Sequence, residues 1–405
     1  MILVLIHPRN AGLPFLQWLP EEKGQLVAVT AVGTGIGEGF ADAVSVADYC
    51  DDEAVLAAAR KLIRRYRPRA VLALAEIDVE RAALLRGEFG LAGLDTAAAS
   101  AYRDKVLMKE YARAAGLRVP AFARVSEAAD ITAFMAARPG RAVVKPRGGS
   151  GSTGVHVLED PGEAADLMLD MPYEVEEFIE GDLHHVDGFR VEGKPVAAVA
   201  SRYGGAACLA HLTDAPLGSR SLDDTDPLHE RLVEETWRLV EALPSPATVF
   251  VHAEFFVTGS GEIVLCEVAA RIGGGPIPAM LRHILGIDPR ELWARVEGGL
   301  PVDLDAVRKR SAIAPRAAFC GLPPQNGRVV RLPEAPRDVH DFVLNTFVGD
   351  DWSGDRYRRR KSADFVASWV VTDADPAALG AKLDATTELV SAGFGWELAD
   401  TRGSA

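Results

Sequence analysis

Short apolar runs and helically spaced apolar positions alternate along the first hundred residues. Met1–Ile6, Leu26–Val32 and Ala70–Ala75 are nearly unbroken apolar stretches, and Ala54–Tyr66 repeats apolar residues at helical spacing between the last two. Strands that read as continuous apolar runs are buried on both faces, so this part predicts a small parallel βαβ unit of Rossmann-like type over residues 1–98. Beyond it the pattern changes. Asp104–Ala115 reads as a helix that ends at Gly116 with Pro120 beyond, followed by a strand, a further helix and the strand Ala142–Lys145. Val155–Leu158, the apolar-acidic segment Tyr173–Ile179, and the pair Val249–Val257 and Glu262–Ala270 complete a central part over 99–299. Residues 300–405 hold short strands with Pro-rich breaks, a strand at Ser368–Thr372 and a helix at Pro376–Ser391, which predicts a small α+β subdomain or lid. The fold class is therefore α/β, in part α+β.

Composition narrows the function classes. The chain has 405 residues, 48% of them apolar, enough for a large core divided into sub-domains. A formal net charge of −14 argues against nucleic acid as a partner, which needs a clustered basic face. The run Arg356-Tyr-Arg-Arg-Arg-Lys361 reads as a solvated charged face rather than an anion patch. The opening apolar run stops at His7-Pro8, too short for a signal segment or a membrane span, so the expectation is a cytoplasmic protein with no membrane partner. Cys50, Cys208, Cys266 and Cys320 lie far apart and suggest neither disulfides nor a zinc site.

The sharpest local feature is Val143-Val-Lys-Pro-Arg-Gly-Gly-Ser-Gly-Ser-Thr-Gly154. Its glycines match GxGxxG, but a dinucleotide loop must open a helix, and Val155-His-Val-Leu158 is a strand. The same letters satisfy a protein-kinase loop, yet HRD and DFG are missing and the lysine precedes the loop. A glycine-rich turn between two antiparallel strands is a flap over residues 147–154. The backbone N–H groups of Gly149 and Gly151 and the hydroxyls of Ser150, Ser152 and Thr153 can close on phosphates, with Lys145 as the adjacent cation. The stretch Gly33–Gly39 lacks that spacing and reads as a loop lining a substrate cleft.

Val249–Val257 and Glu262–Ala270 read as a hairpin that brings Glu254 opposite Glu267. Two facing carboxylates repel unless a cation lies between them, and magnesium, or manganese in its place, meets that demand together with phosphates. Arg271 stands four residues on, where a guanidinium can hold a carboxylate or a transferring phosphoryl group, and Gly273 and Gly274 let backbone approach a ligand. His252, two residues before Glu254, reads as a neighbour of the metal or as a core histidine.

Asp104-Lys105, Val144-Lys145-Pro146 with its flap, Glu176-Glu-Phe-Ile-Glu-Gly181, and Glu254 with Glu267-x-x-x-Arg271 together resemble the ATP-grasp superfamily in order and spacing. The resemblance spans roughly residues 100–290. It implies an ATP-grasp fold whose smaller nucleotide lobe covers about 115–180, with ATP and Mg2+ as cofactors. It further implies that Lys105 and Lys145 contact the nucleotide phosphates, that Glu176, Glu177, Phe178 and Ile179 lie along the adenine, and that Glu254 and Glu267 hold the metal. Arg271 would be the phosphoryl clamp, and His184 stands where an acidic residue often binds ribose. One departure is Ala269, where many members carry a metal-binding Asn. Glu-x-Ala-Ala-Arg preceded by His-x-Glu is most similar to bacterial L-amino-acid ligases and argues against the carboxylase and purine-synthesis branches.

The implied activity is the joining of a small carboxylic acid to an amine through an acyl phosphate. The expected partners are amino acids, and the chain would act as a monomer or homodimer. Substrate contacts are expected from Gly273, Gly274, Arg202 in the segment 201–205, and Arg316. Histidines 184, 185 and 211 are candidates for the base only by type. A ligase or phosphotransferase acting on a non-amino-acid carboxylate, and a catalytically silent nucleotide-binding protein, are the alternatives.

Overall fold

The computed structural model describes residues 1–204, 215–325, 327–344 and 365–398. The expectations for Cys208, His211, Gly205 and the run Arg356–Lys361 fall outside them. Strands β1 (Ile2–Leu5), β2 (Leu26–Ala31), β3 (Asp42–Val46) and β4 (Ala70–Ala73) form one sheet, and helices α1 (Phe15–Trp18), α2 (Asp52–Tyr66) and α3 (Asp78–Phe89) pack with it. All its strands are parallel, in the order β3-β2-β1-β4. The apolar runs explain this, since β1 is buried at every position and cores fill both faces. Asp51 caps α2 by accepting from the Ala54 amide, and Arg67 ends it in the left-handed conformation. Strand β3 was not anticipated, because its residues are mostly half-buried at the sheet edge and make no apolar run.

Helices α4 (Thr96–Arg103) and α5 (Lys105–Ala114) lead into the small lobe of β5 (Phe122–Val125), α6 (Ala128–Ala137), β6 (Ala142–Pro146), β7 (His156–Leu158) and β8 (Tyr173–Glu177). Its sheet is antiparallel in the order β5-β8-β6-β7, so the glycine-rich turn joins the neighbouring strands β6 and β7. The large lobe follows: β9 (Gly181–Val191), β10 (Lys194–Gly204), β11 (Leu217–Ser221), α7 (Pro227–Ala242), β12 (Val249–Thr258), β13 (Ile263–Ala269), α8 (Ile277–Leu285), α9 (Pro289–Glu297) and α10 (Leu304–Ile313).

Then come β14 (Arg316–Leu322), β15 (Gly327–Arg331), β16 (His340–Leu344), β17 (Ala367–Asp373), α11 (Pro376–Gly393) and β18 (Gly395–Leu398). Three of these strands extend the large lobe's sheet, whose order is β13-β12-β9-β10-β11-β14-β17-β16. Among the described residues the far C-terminal part thus contributes three strands to the central sheet, with β15 and β18 paired apart. No helix among the described residues is long and apolar enough to cross a membrane.

Candidate active site

Each wall of the site traces to a local device. Asp104 caps α5 by accepting from the amides of Val106 and Leu107 at 3.0 and 3.3 Å, and it also takes the Arg147 guanidinium. That cap fixes Lys105 at the first helical position, where its ammonium donates to the Gly149 carbonyl at 2.8 Å and lies 3.0 Å from Glu267. In the turn, Gly151 and Gly154 have φ of 62° and 72°. A Cβ on Gly154 would also come within 2.9 Å of Pro146.

Lys145 leaves β6 opposite Glu174 on β8, and its ammonium sits 2.6 Å from Glu176. Burial works against its charge, but Glu176, Cys266, Glu174 and Glu267 outweigh burial and push its pKa well up. Lys109, fully buried on α5, contacts both Glu174 and Glu176 at 2.5 Å. Glu176 is therefore a counter-ion between two lysines, a role its sequence context gave no sign of. Lys109 escaped the sequence reading because a lysine in an amphipathic helix is normally solvated. Beyond Glu176, the Arg141 guanidinium lies 3.8 Å from the centre of the Phe178 ring.

Strands β12 and β13 place Glu254 directly across from Glu267, with an irregularity just after Glu254. Glu267 is held at a pKa of about 2, because Lys105 and Lys145 overcome the effect of burial. Glu254 Oε1 accepts from the Tyr203 hydroxyl at 3.1 Å and from His252 Nε2 at 3.2 Å. Glu254 Oε2 and Glu267 Oε1 have no protein hydrogen-bond partner among the described residues, and both residues line the same cavity, a donor set that suits a hard divalent cation.

Behind this pair lies a buried relay. Asp187 accepts from His185 at 2.7 Å, from His252 at 3.0 Å and from the Gly273 amide at 3.2 Å. Burial opposes its charge, yet His252 and His185 hold its carboxyl well below the usual carboxylate range. Burial likewise opposes a charged His252, and Asp187 with Glu254 pushes its pKa up to about 10. The ring nitrogens of both histidines are spent on Asp187, Ser219 and Glu254, so this cluster is a hydrogen-bonded support for Glu254.

One cavity of about 400 Å³ joins these parts. It is lined by Lys105, Lys145, the flap from Gly149 to Thr153, the segment Glu176–Ile179, Glu254, Glu267, Arg271 and Gly274. Arg271 donates through Nε to Glu76, which follows β4, and through Nη1 to the Ile272 carbonyl at 2.8 Å.

Other expected residues lie elsewhere. His184 is buried on β9 with Nδ1 3.0 Å from the Asp182 carbonyl and does not line the cavity. Arg202 pairs with Asp182, and Arg316 is bidentate to Asp224 at the start of β14; neither reaches the cavity. Gly273 supports Asp187 instead of lining the cavity, and a Cβ there would meet the Asp187 carboxylate at 2.8 Å. His185 is enclosed between Asp187 and Ser219, out of reach of a substrate amine. The loop 33–39 is not part of the cavity wall either. Asp187 and Glu76 were missed because strands far apart in the chain bring them in, whereas Tyr203 lies in the segment 201–205 expected to face the cleft and does line the cavity; only the alternation along β9 marks Asp187 as facing the same side as His185.

No family model matches the chain. It is 25% identical over 307 residues to the L-arginine-specific L-amino acid ligase of Bacillus subtilis, covering 72% of this chain and 71% of that protein. Among solved structures it superposes on the L-amino acid ligase from Bacillus licheniformis with a TM-score of 0.77 at 16% identity, over 98% of both chains. The biotin carboxylase domain of the Hydrogenobacter thermophilus 2-oxoglutarate carboxylase, solved with MgADP, gives 0.67 at 13% identity, over 96% of this chain and 89% of that one. The parallel N-terminal sheet, the glycine flap over a lysine-lined cavity and these likenesses agree on the fold, and the chain has the ATP-grasp fold.

Proposed function

We propose that the protein condenses two amino acids into a dipeptide, using ATP to activate one carboxylate as an acyl phosphate. The observation that carries the reading is the facing pair Glu254 and Glu267 in one cavity with Lys105, Lys145, the flap and Arg271. Amino acids are favoured as substrates by the likeness to the Bacillus subtilis ligase, which extends over most of the chain.

In this reading Lys105 and Lys145 neutralise the nucleotide phosphates, and the flap amides cover them. Phe178 and Ile179 flank the adenine, and Glu180 and Asp182, which line the cavity where His184 does not, face the ribose. Glu254 and Glu267 would hold magnesium, which supplies charge neutralisation of the phosphoryl oxygens. Arg271 holds the carboxylate in line with the γ-phosphate and then stabilises charge on the phosphoryl group. Attack of the amine on the acyl carbon forms the amide and expels phosphate. No protein nucleophile is needed, and rate comes from positioning and electrostatics.

The test is ADP and phosphate release across a matrix of amino-acid pairs with ATP and magnesium, with mass spectrometry of each active well. A product lighter by one water than the sum of its two components is expected. ADP release without condensation would point to a phosphotransferase and overturn the ligase reading.

A further inference from the structure

Glu76 lies three residues past the C-terminal end of β4, beside β1. In the order β3-β2-β1-β4 the chain reverses its direction of winding between β1 and β4, and ligands of open α/β sheets bind in the crevice outside the strand ends at such a point. Both oxygens of Glu76 are engaged. Oε2 accepts from Arg271 Nε, and Oε1 accepts from Arg103 Nη1 at 2.5 Å. Arg103 donates in turn through Nη2 to the carbonyl of Gly148 at 2.5 Å, at the base of the flap. The carboxylate is mostly buried at 15% exposure, as are Arg103 at 15% and Arg271 at 18%, so these pairs are shielded from the screening that weakens surface ion pairs. Arg271 spends its Nε and one Nη1 proton on protein, which leaves its Nη2 edge for the cavity it lines.

We propose that Glu76 is a positioning residue that orients the free edge of Arg271 toward the reacting carboxylate and, through Arg103, links that clamp to the flap. This rests on the ligase reading for its catalytic arm, while the flap arm stands on geometry alone. A guanidinium anchored along its Nε side has one direction left for a substrate anion. Removing the negative charge of Glu76 takes the shared carboxylate partner from both arginines at once, leaving Arg103 with the Gly148 carbonyl and Glu80, and Arg271 with the Ile272 carbonyl, so the clamp and the flap loosen in one step.

The experiment compares wild type, Glu76→Gln and Arg103→Gln by steady-state kinetics with the amino-acid pair that wild type condenses, and by hydrogen exchange of the 148–154 amides without substrate. Glu76→Gln is expected to keep the wild-type circular dichroism and to lower kcat about 100-fold, with KM for ATP changed less than about threefold. It should also speed flap exchange several-fold. Arg103→Gln cuts the flap arm only, so it should speed flap exchange equally while lowering kcat by less than about tenfold. A Glu76→Gln enzyme with kcat within twofold of wild type and unchanged flap exchange overturns the proposal. Should Glu76→Gln not fold, Arg103→Gln decides alone, and unchanged flap exchange there overturns the link. Wild type that turns over no amino acid would defeat the reaction assignment, and the flap arm would still be read by exchange.

Discussion

Glu254 and Glu267 meet across β12 and β13 with one oxygen each engaged by protein groups, and both line the cavity. If they hold magnesium, Glu267→Gln leaves the fold intact and abolishes ATP turnover, which a coupled ADP assay beside a circular dichroism spectrum checks; near-normal turnover removes the metal assignment. Asp187 supports Glu254 through His252, and its buried carboxylate is matched by two histidines and an amide. Asp187→Asn should therefore cost about 3 kcal/mol at neutral pH, since it leaves buried partners uncompensated. Because the folded carboxyl titrates well below its ordinary range, its contribution is present above pH of about 4 and is lost as pH falls further. Urea unfolding of both proteins at pH 7 and near pH 3.5 should show the gap narrowing on acidification; a constant gap contradicts the assignment. The lysine before the flap and the acid pair were legible in sequence because each depends on neighbours within one hairpin. Glu76, Lys109 and Asp187 were not, since their partners lie 27 or more residues away, apart from those of Asp187 within its own strand.

In the proposed reaction the flap covers the nucleotide phosphates. It is tied down by three contacts with the turn into α5: Arg147 to Asp104, Lys105 to the Gly149 carbonyl, and Arg103 to the Gly148 carbonyl. Adding ATP with magnesium should slow exchange of the Gly148–Gly154 amides, and unchanged exchange there would count against a phosphate-covering role. Asp104→Ala removes both the α5 cap and the Arg147 anchor. It should cost about 1 kcal/mol from the cap alone and raise flap exchange in the free enzyme, measurable by denaturation and hydrogen exchange. Helix α5 was legible because Asp104, Gly116 and Pro120 punctuate it. Strands β9, β10 and β11 were not, since β9 carries Asp182, His184, His185, Asp187 and Arg190 among its apolar residues, and buried polar pairs disguise the alternation.

At the scale of the whole molecule, the N-terminal sheet and the large lobe meet at the active site through Glu76 and Arg271. The parallel sheet could be read from apolar runs alone. The placement of the last hundred residues could not, because β14 and β17 join the central sheet by long-range pairing that no local pattern encodes. In the proposed reaction this assembly makes an acyl phosphate. That step is tested most directly by giving the enzyme ATP, magnesium and a condensing amino-acid pair in which the activated carboxylate carries 18O. Transfer of one 18O into the released phosphate for each amide formed is the predicted result; unlabelled phosphate would show that the carboxylate never attacked ATP and would contradict the account.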